Sequence, residues 1–194
     1  MNITFYSDPV EQAVVKEIMQ WSKEVLEKPN AYFNNLPPCP YARSAWLEDK
    51  VSILFKHEDS YQALYSCVSQ FDDSYDLVII VDLLNKTDSE EFHEYFDSLN
   101  EAISNGMFID KDMWVMGFHP DDDPSDFVKD IPFEPETDTV YSLIFVQRLS
   151  TLHRAADKLD KKGYYESYAK EYDAEDIFQR RTELYGRLSN GHET

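Results

Sequence analysis

A cysteine followed by proline at the start of a helix can hold a reactive thiolate, and the segment Leu36-Pro37-Pro38-Cys39-Pro40-Tyr41-Ala42-Arg43 has that form. Proline favours the first helical turn, so Cys39 is expected at the N-cap, beside backbone N–H groups that no helical carbonyl engages. That setting stabilises the thiolate, the form in which cysteine attacks carbon or exchanges with a disulfide. Arg43, one turn further on, points toward the same end and would anchor an anionic group. A second tripeptide, Phe118-His119-Pro120, follows the apolar run Trp114-Val115-Met116-Gly117. His119 is therefore expected at the carboxyl end of a strand, where open α/β sheets place their ligands. Together the residues describe an enzyme acting on a small anionic molecule, with Cys39 as nucleophile or redox thiol, His119 as base or acid, and Arg43 as anchor. The plainer alternative makes Cys39 a small buried hydrophobe and His119 a structural residue. Cys67, between Leu64 and Val68 on an amphipathic stretch, reads as core. His57 also follows a strand, while His93, His153 and His192 read as surface residues.

His119, Asp121 and Asp123 alternate, and in an extended segment their side chains project to one side. With Asp82 at the end of a neighbouring strand they would offer imidazole and carboxylate oxygens to a divalent metal. The competing reading of Asp121-Asp122-Asp123 is a solvated loop. The five glycines are scattered, so no phosphate-cradling loop is present, and neither a Gly-x-Ser-x-Gly elbow nor a His-Glu-x-x-His pair occurs.

At 194 residues with 42% apolar and 14% aromatic side chains, the chain can bury a full core. Its net charge of −20 argues against binding nucleic acid through the phosphate backbone, which needs a basic face. That charge suits a binding or adaptor protein with a basic protein partner, or a DNA-mimicking decoy. Two cysteines are too few for a disulfide framework, which points to a reducing, cytoplasmic setting. No apolar run approaches the length of a membrane span, and the first residues lack a basic-then-apolar leader pattern.

The elements that must position these residues follow from periodicity. Residues 9 to 27 are expected to form a helix, with Asp8 as N-cap, Pro9 in its first turn, and Val10, Val14, Ile18, Trp21 and Val25 as its core face. A loop then delivers Cys39, and a short helix is expected from Pro40 to about Leu47. Val51 to Phe55 reads as a strand, Tyr61 to Phe71 as a helix and Leu77 to Val81 as a buried strand. A capping box, Thr87-x-x-Glu90, opens a helix that closes at Gly106. Met113 to Phe118 reads as a third strand, and Val140 to Val146 as a fourth that pairs at the edge. The loop from His119 to Asp138 carries eight carboxylates, one lysine and four prolines, the composition of a lid or a disordered segment. The expected fold is α/β: a mostly parallel or mixed central sheet of about four strands covered by helices. Residues 1–163 form one domain. Residues 164–194 form a helical, tyrosine-rich C-terminal extension whose stripe of Tyr164, Tyr168, Tyr172, Phe178, Tyr185 and Leu188 would cover the core or a second copy in a homodimer.

The order Cys39-Pro40-Tyr41-Ala42, an apolar strand, Leu77-Val78-Ile79-Ile80-Val81, and then Phe118-His119-Pro120 resembles an uncharacterised bacterial family with Cys-Pro-Phe-Ala and Phe-His-Pro motifs. The resemblance covers residues 18 to about 160, with Tyr41 in place of phenylalanine, and implies that the two motifs work as a pair. Locally, Cys39-Pro40-Tyr41-Ala42 is also similar to the redox motif of glutaredoxins and to that of omega-type glutathione transferases. Those proteins place the cysteine directly after a strand and face it with a cis-proline. The stretch Asn30 to Pro38 does not read as a strand, and Ile131-Pro132 lies in the acidic loop.

Overall fold

The computed structural model describes residues 6–58, 60–108, 111–122, 133–167 and 175–191. Helix α1 (Pro9–Trp21) is capped as its sequence requires, with the Asp8 carboxylate accepting the Val10 N–H at 2.7 Å and Pro9 in the first turn. It does not run on as a plain α-helix to residue 27, because Ser22–Leu26 widen into a π turn. A short helix α2 (Ala42–Leu47) leads into strand β1 (Val51–Lys56). Helix α3 (Gln62–Gln70) crosses to strand β2 (Leu77–Asp82), and helix α4 (Ser89–Ser104) crosses to strand β3 (Trp114–Phe118). Strand β4 (Ser142–Gln147) is followed by helix α5 (Leu149–Asp160) and helix α6 (Glu175–Gly191).

The sheet order is β1-β2-β4-β3. β1 and β2 are parallel, whereas β4 runs antiparallel to both β2 and β3. The fold is thus α/β with a mixed four-stranded sheet flanked by helices. One expectation is corrected: β4 lies inside the sheet, not at its edge. β4 pairs along its length with β2 on one side and β3 on the other, and its Ile144, Phe145 and Val146, buried in succession, suit a strand covered on both faces.

Two apolar layers result. On one face α1 sets Val14, Val15 and Ile18 against Ile53, Ile79, Val81 and Phe145. On the other, α3, α4, α5 and α6 enclose Leu64, Val68, Phe92, Phe96 and Ile103 with Ile80, Val115, Ile144 and Val146. Leu184 and Leu188 of α6 belong to this second layer, so the helical extension covers the core. Tyr165 meets Phe178 edge-on at 4.8 Å and Tyr185 stacks on His153 at 4.4 Å. Tyr168 and Tyr172 lie outside the described residues. Caps differ by one residue from the motif reading at α4. The N-cap is Asp88, accepting the Glu91 N–H at 2.9 Å, where the sequence motif points to Thr87 and Glu90. No helix among the described residues is long and apolar enough to cross a membrane.

Candidate functional site

Cys39 is positioned by what precedes it. Its N–H donates to the Leu26 carbonyl at 2.9 Å, a bridge pairs Asn30 with Leu36, and the Tyr164 hydroxyl donates to the Pro38 carbonyl. Phe33 stacks on Tyr164 at 4.7 Å, fastening this loop to the end of α5. The cap of α2 is Tyr41, and Pro40 sits in a turn closed by the Ala42 N–H on the Cys39 carbonyl at 3.1 Å. Cys39 therefore lies two residues before the cap of a helix of only six residues, and the dipole it was expected to use is weak. Burial pushes the Cys39 thiol up, and the nearby Glu27 carboxylate pushes the same way; the Tyr41 and Ala42 amides pull it down and are outweighed. Arg43 is exposed and makes no hydrogen bond or ion pair among the described residues. Cys67 is buried in the second layer, and burial lifts its thiol to about 11.

His119 continues β3 on the α4 side of the sheet, its side chain fully buried and its ring 5.4 Å from that of Phe92. Its Nε2 stands 3.0 Å from the Thr87 carbonyl oxygen, which can only accept, so Nε2 carries the proton. Its Nδ1 accepts the Asp121 N–H at 3.2 Å. Both ring nitrogens are thus engaged by backbone, and the imidazole ties the end of β3 to the turn before α4. Asp122 completes the strap. It accepts from the His119 N–H at 2.7 Å, the Ser89 hydroxyl at 2.7 Å and the His93 ring at 2.8 Å. The His93 side chain is 43% exposed, in keeping with its reading as a surface residue, and joins this knot through Asp122.

Cys39 is held by residues that follow α1 and His119 by residues that precede α4, two helices on opposite faces of the sheet. No hydrogen bond joins them. The candidate metal ligands are similarly spread. Asp121 is 77% exposed, with its carboxylate 3.8 Å from His119 Nδ1, and Asp82 is paired with Lys56. Asp123 lies outside the described residues. Among the described residues no group of three or more His, Cys, Asp or Glu side chains could hold a metal ion. His57 is exposed and stands 3.0 Å from Glu11.

Other polar groups escape a reading by motif. Lys56, Asp82 and Ser142 occupy neighbouring strands at one level of the sheet, and His119 directly follows Phe118, the last paired residue of β3. All four are buried. Asp82 also accepts the Leu84 N–H at 2.9 Å, and Lys56 lies over the Tyr61 ring at 5.4 Å. Alternation along Val51 to Lys56 groups Lys56 with Ser52 and the exposed Leu54, away from the covered face of Val51, Ile53 and Phe55, so no local signal marks the lysine as buried. Glu17 is the second case: it is buried on α1, and its spacing from Val14 and Trp21 already puts it on the apolar stripe.

The outer face of α4 has a different character. Glu90, Glu94, Asp97 and Glu101 are exposed and recur at steps of four, three and four, so they form one stripe. The rise of an α-helix spaces them about 6, 4.5 and 6 Å apart along the axis. The helix contains no lysine or arginine, and among the described residues none of these carboxylates pairs with a cation. Compared with family models, with curated proteins and with solved structures, the chain matches none.

Proposed function

We propose that this protein is an acidic binding or adaptor protein whose partner is a basic protein, docked along the outer face of α4. The observation that carries this reading is the stripe of Glu90, Glu94, Asp97 and Glu101. Like charges at i and i+4 destabilise a helix by roughly 0.2–0.5 kcal/mol per pair. Lysines interleaved at the same spacing would remove that cost. Here the repulsion is left uncompensated across a sixteen-residue helix, in a chain of net charge −20. A partner with lysines or arginines at matching intervals relieves it, and a long-range field of this sign speeds the encounter.

The thiol-enzyme reading has less behind it. Its thiol is pushed up, its imidazole has both nitrogens occupied by backbone, and no hydrogen bond joins the two.

The test is calorimetric titration of the full chain with poly-L-lysine at low and moderate salt. Binding is expected to weaken steeply with salt. The variant Glu90→Gln/Glu94→Gln/Asp97→Asn/Glu101→Gln should bind several-fold more weakly than a control with the same charge change elsewhere, Glu48→Gln/Glu58→Gln/Asp157→Asn/Asp160→Asn. Equal affinities for the two variants would reduce the effect to net charge and overturn the docking face.

A further inference from the structure

On the face of the sheet opposite α4, a cavity of about 420 Å³ opens between α1 and residues 133–143. Ile18 and Trp21 of α1, Phe133, Val140 and Leu143 give it largely apolar walls. Glu17 also lines it and is only 4% exposed. Its Oε2 accepts the Thr137 N–H at 2.8 Å and its Oε1 accepts the Tyr141 hydroxyl at 2.5 Å. Both donors are neutral, and among the described residues no lysine, arginine or histidine pairs with Glu17. Burial, followed by the hydrogen bond and negative charge of Glu17, pushes the Tyr141 phenol up, so it stays a donor.

A carboxylate nearly out of water and without a counter-charge is costly. Two oxygens offer about four acceptor positions, and the two hydrogen bonds use about half of them. Trp21 and Tyr141 add aromatic rings, whose faces attract cations. The volume falls within the usual range for small-molecule pockets, about 300–1,000 Å³. An anion would meet Glu17 and the exposed Asp138 on the same lining, so the charge selects the opposite sign.

We propose that this cavity binds a small protonated organic amine, with Glu17 receiving the ammonium group and Trp21, Phe133 and Leu143 covering its apolar arm. The site is independent of the α4 face. It takes a small molecule where α4 takes a protein, and either stands if the other fails.

The test titrates the full chain with benzylammonium, with neutral benzyl alcohol and with N-acetyl-lysine amide, read by calorimetry and by tryptophan fluorescence. Benzylammonium is expected to bind at one site per chain, at least about tenfold more tightly than benzyl alcohol, and Glu17→Gln should remove at least about tenfold of that affinity. Because Glu17→Gln also disturbs the bonds to Thr137 and Tyr141, a second variant is needed. Val140→Lys, at a wall position that is 59% exposed, sets a competing ammonium at the mouth and should weaken binding by a similar factor without lowering the melting temperature. Absence of saturable benzylammonium binding, equal binding of benzyl alcohol, or full affinity in both variants would overturn the site. Tighter binding of N-acetyl-lysine amide than of benzylammonium would overturn its assignment to a small molecule.

Discussion

The carboxamide of Asn100, on α4, and the peptide group of Val115, on β3, exchange two hydrogen bonds: Asn100 Nδ2 donates to the Val115 carbonyl at 2.8 Å, and the Val115 N–H donates to Asn100 Oδ1 at 3.3 Å. β3 is an edge strand, and one side chain thus satisfies the peptide that faces outward. On the far edge the Tyr6 hydroxyl donates to the Ile53 carbonyl of β1 at 2.9 Å. Both edges are therefore blunted against pairing with another chain. Asn100→Ala is expected to cost about 1–3 kcal/mol, since it strands a peptide group at the helix–strand contact. Urea denaturation of the variant beside the parent measures it, and an unchanged midpoint would remove the edge role.

Gly117 lets α4 approach β3. A Cβ there would stand 2.5 Å from a ring carbon of Phe92 and 2.8 Å from one of Phe96. Gly117→Ala should destabilise by about 1–3 kcal/mol through overpacking. In combination with Phe92→Leu the cost should be less than additive, which a double-mutant cycle in thermal unfolding reads directly.

Cys39 should behave as an unactivated thiol. Burial and Glu27 push it up, so alkylation by iodoacetamide is expected to rise only above the free-cysteine value of about 8.5. Cys67, lifted to about 11, should react more slowly still. Mass spectrometry of each site across pH checks both, and a Cys39 thiolate titrating well below the free value would restore the case for thiol chemistry.

Asp122 links stability to pH. Burial raises its pKa, but the Ser89 hydroxyl, the His119 amide and the His93 ring together hold it below the ordinary carboxylate value. A carboxyl group depressed on folding adds stability above its unfolded pKa of about 3.9, and that contribution fades as pH falls through the folded value. Asp122→Asn is therefore expected to flatten the loss of stability below about pH 4. Unfolding midpoints for parent and variant at pH 3 to 7 would show this, and parallel profiles would dismiss Asp122 as the group responsible.

The Lys56–Asp82 pair is almost fully covered. Asp82→Asn, which leaves the ammonium without a counter-charge, should cost about 3–5 kcal/mol. Replacing both partners, Lys56→Met with Asp82→Leu, should recover most of it. A double variant as unstable as the single one would mean that the backbone bonds from Leu84 and Asn85 to Asp82 matter more than the charge.

Most elements were legible because their signals are local. Asp8-Pro9 marks the start of α1, the run Leu77 to Val81 marks β2, and the stripe Phe92, Phe96, Leu99 and Ile103 marks α4. The place of β4 was not, since strand order depends on pairings such as Ile80 with Ile144 that lie far apart in the chain. The motif residues misled for a related reason. Cys-Pro marks a helix start only when the helix follows at once, and here a turn intervenes before Ala42. The use of His119 is fixed by Thr87, 32 residues earlier, and no spacing near His119 encodes that partner. Glu17 was visible on the stripe of α1 but needed Thr137 and Tyr141, 120 and 124 residues away, to become a site.

The insertion of β4 between β2 and β3 also sets the order of assembly. β1, α3 and β2 can pair as soon as they exist, but β3 has no strand neighbour until β4, the last strand among the described residues, enters the gap. Non-local closure of this kind slows folding, because loop entropy is lost before the contacts that reward it form. Until residues 142–147 arrive, the edges of β2 and β3 that face β4 remain open to other chains, and it is in this interval of synthesis that the protein is most exposed to aggregation.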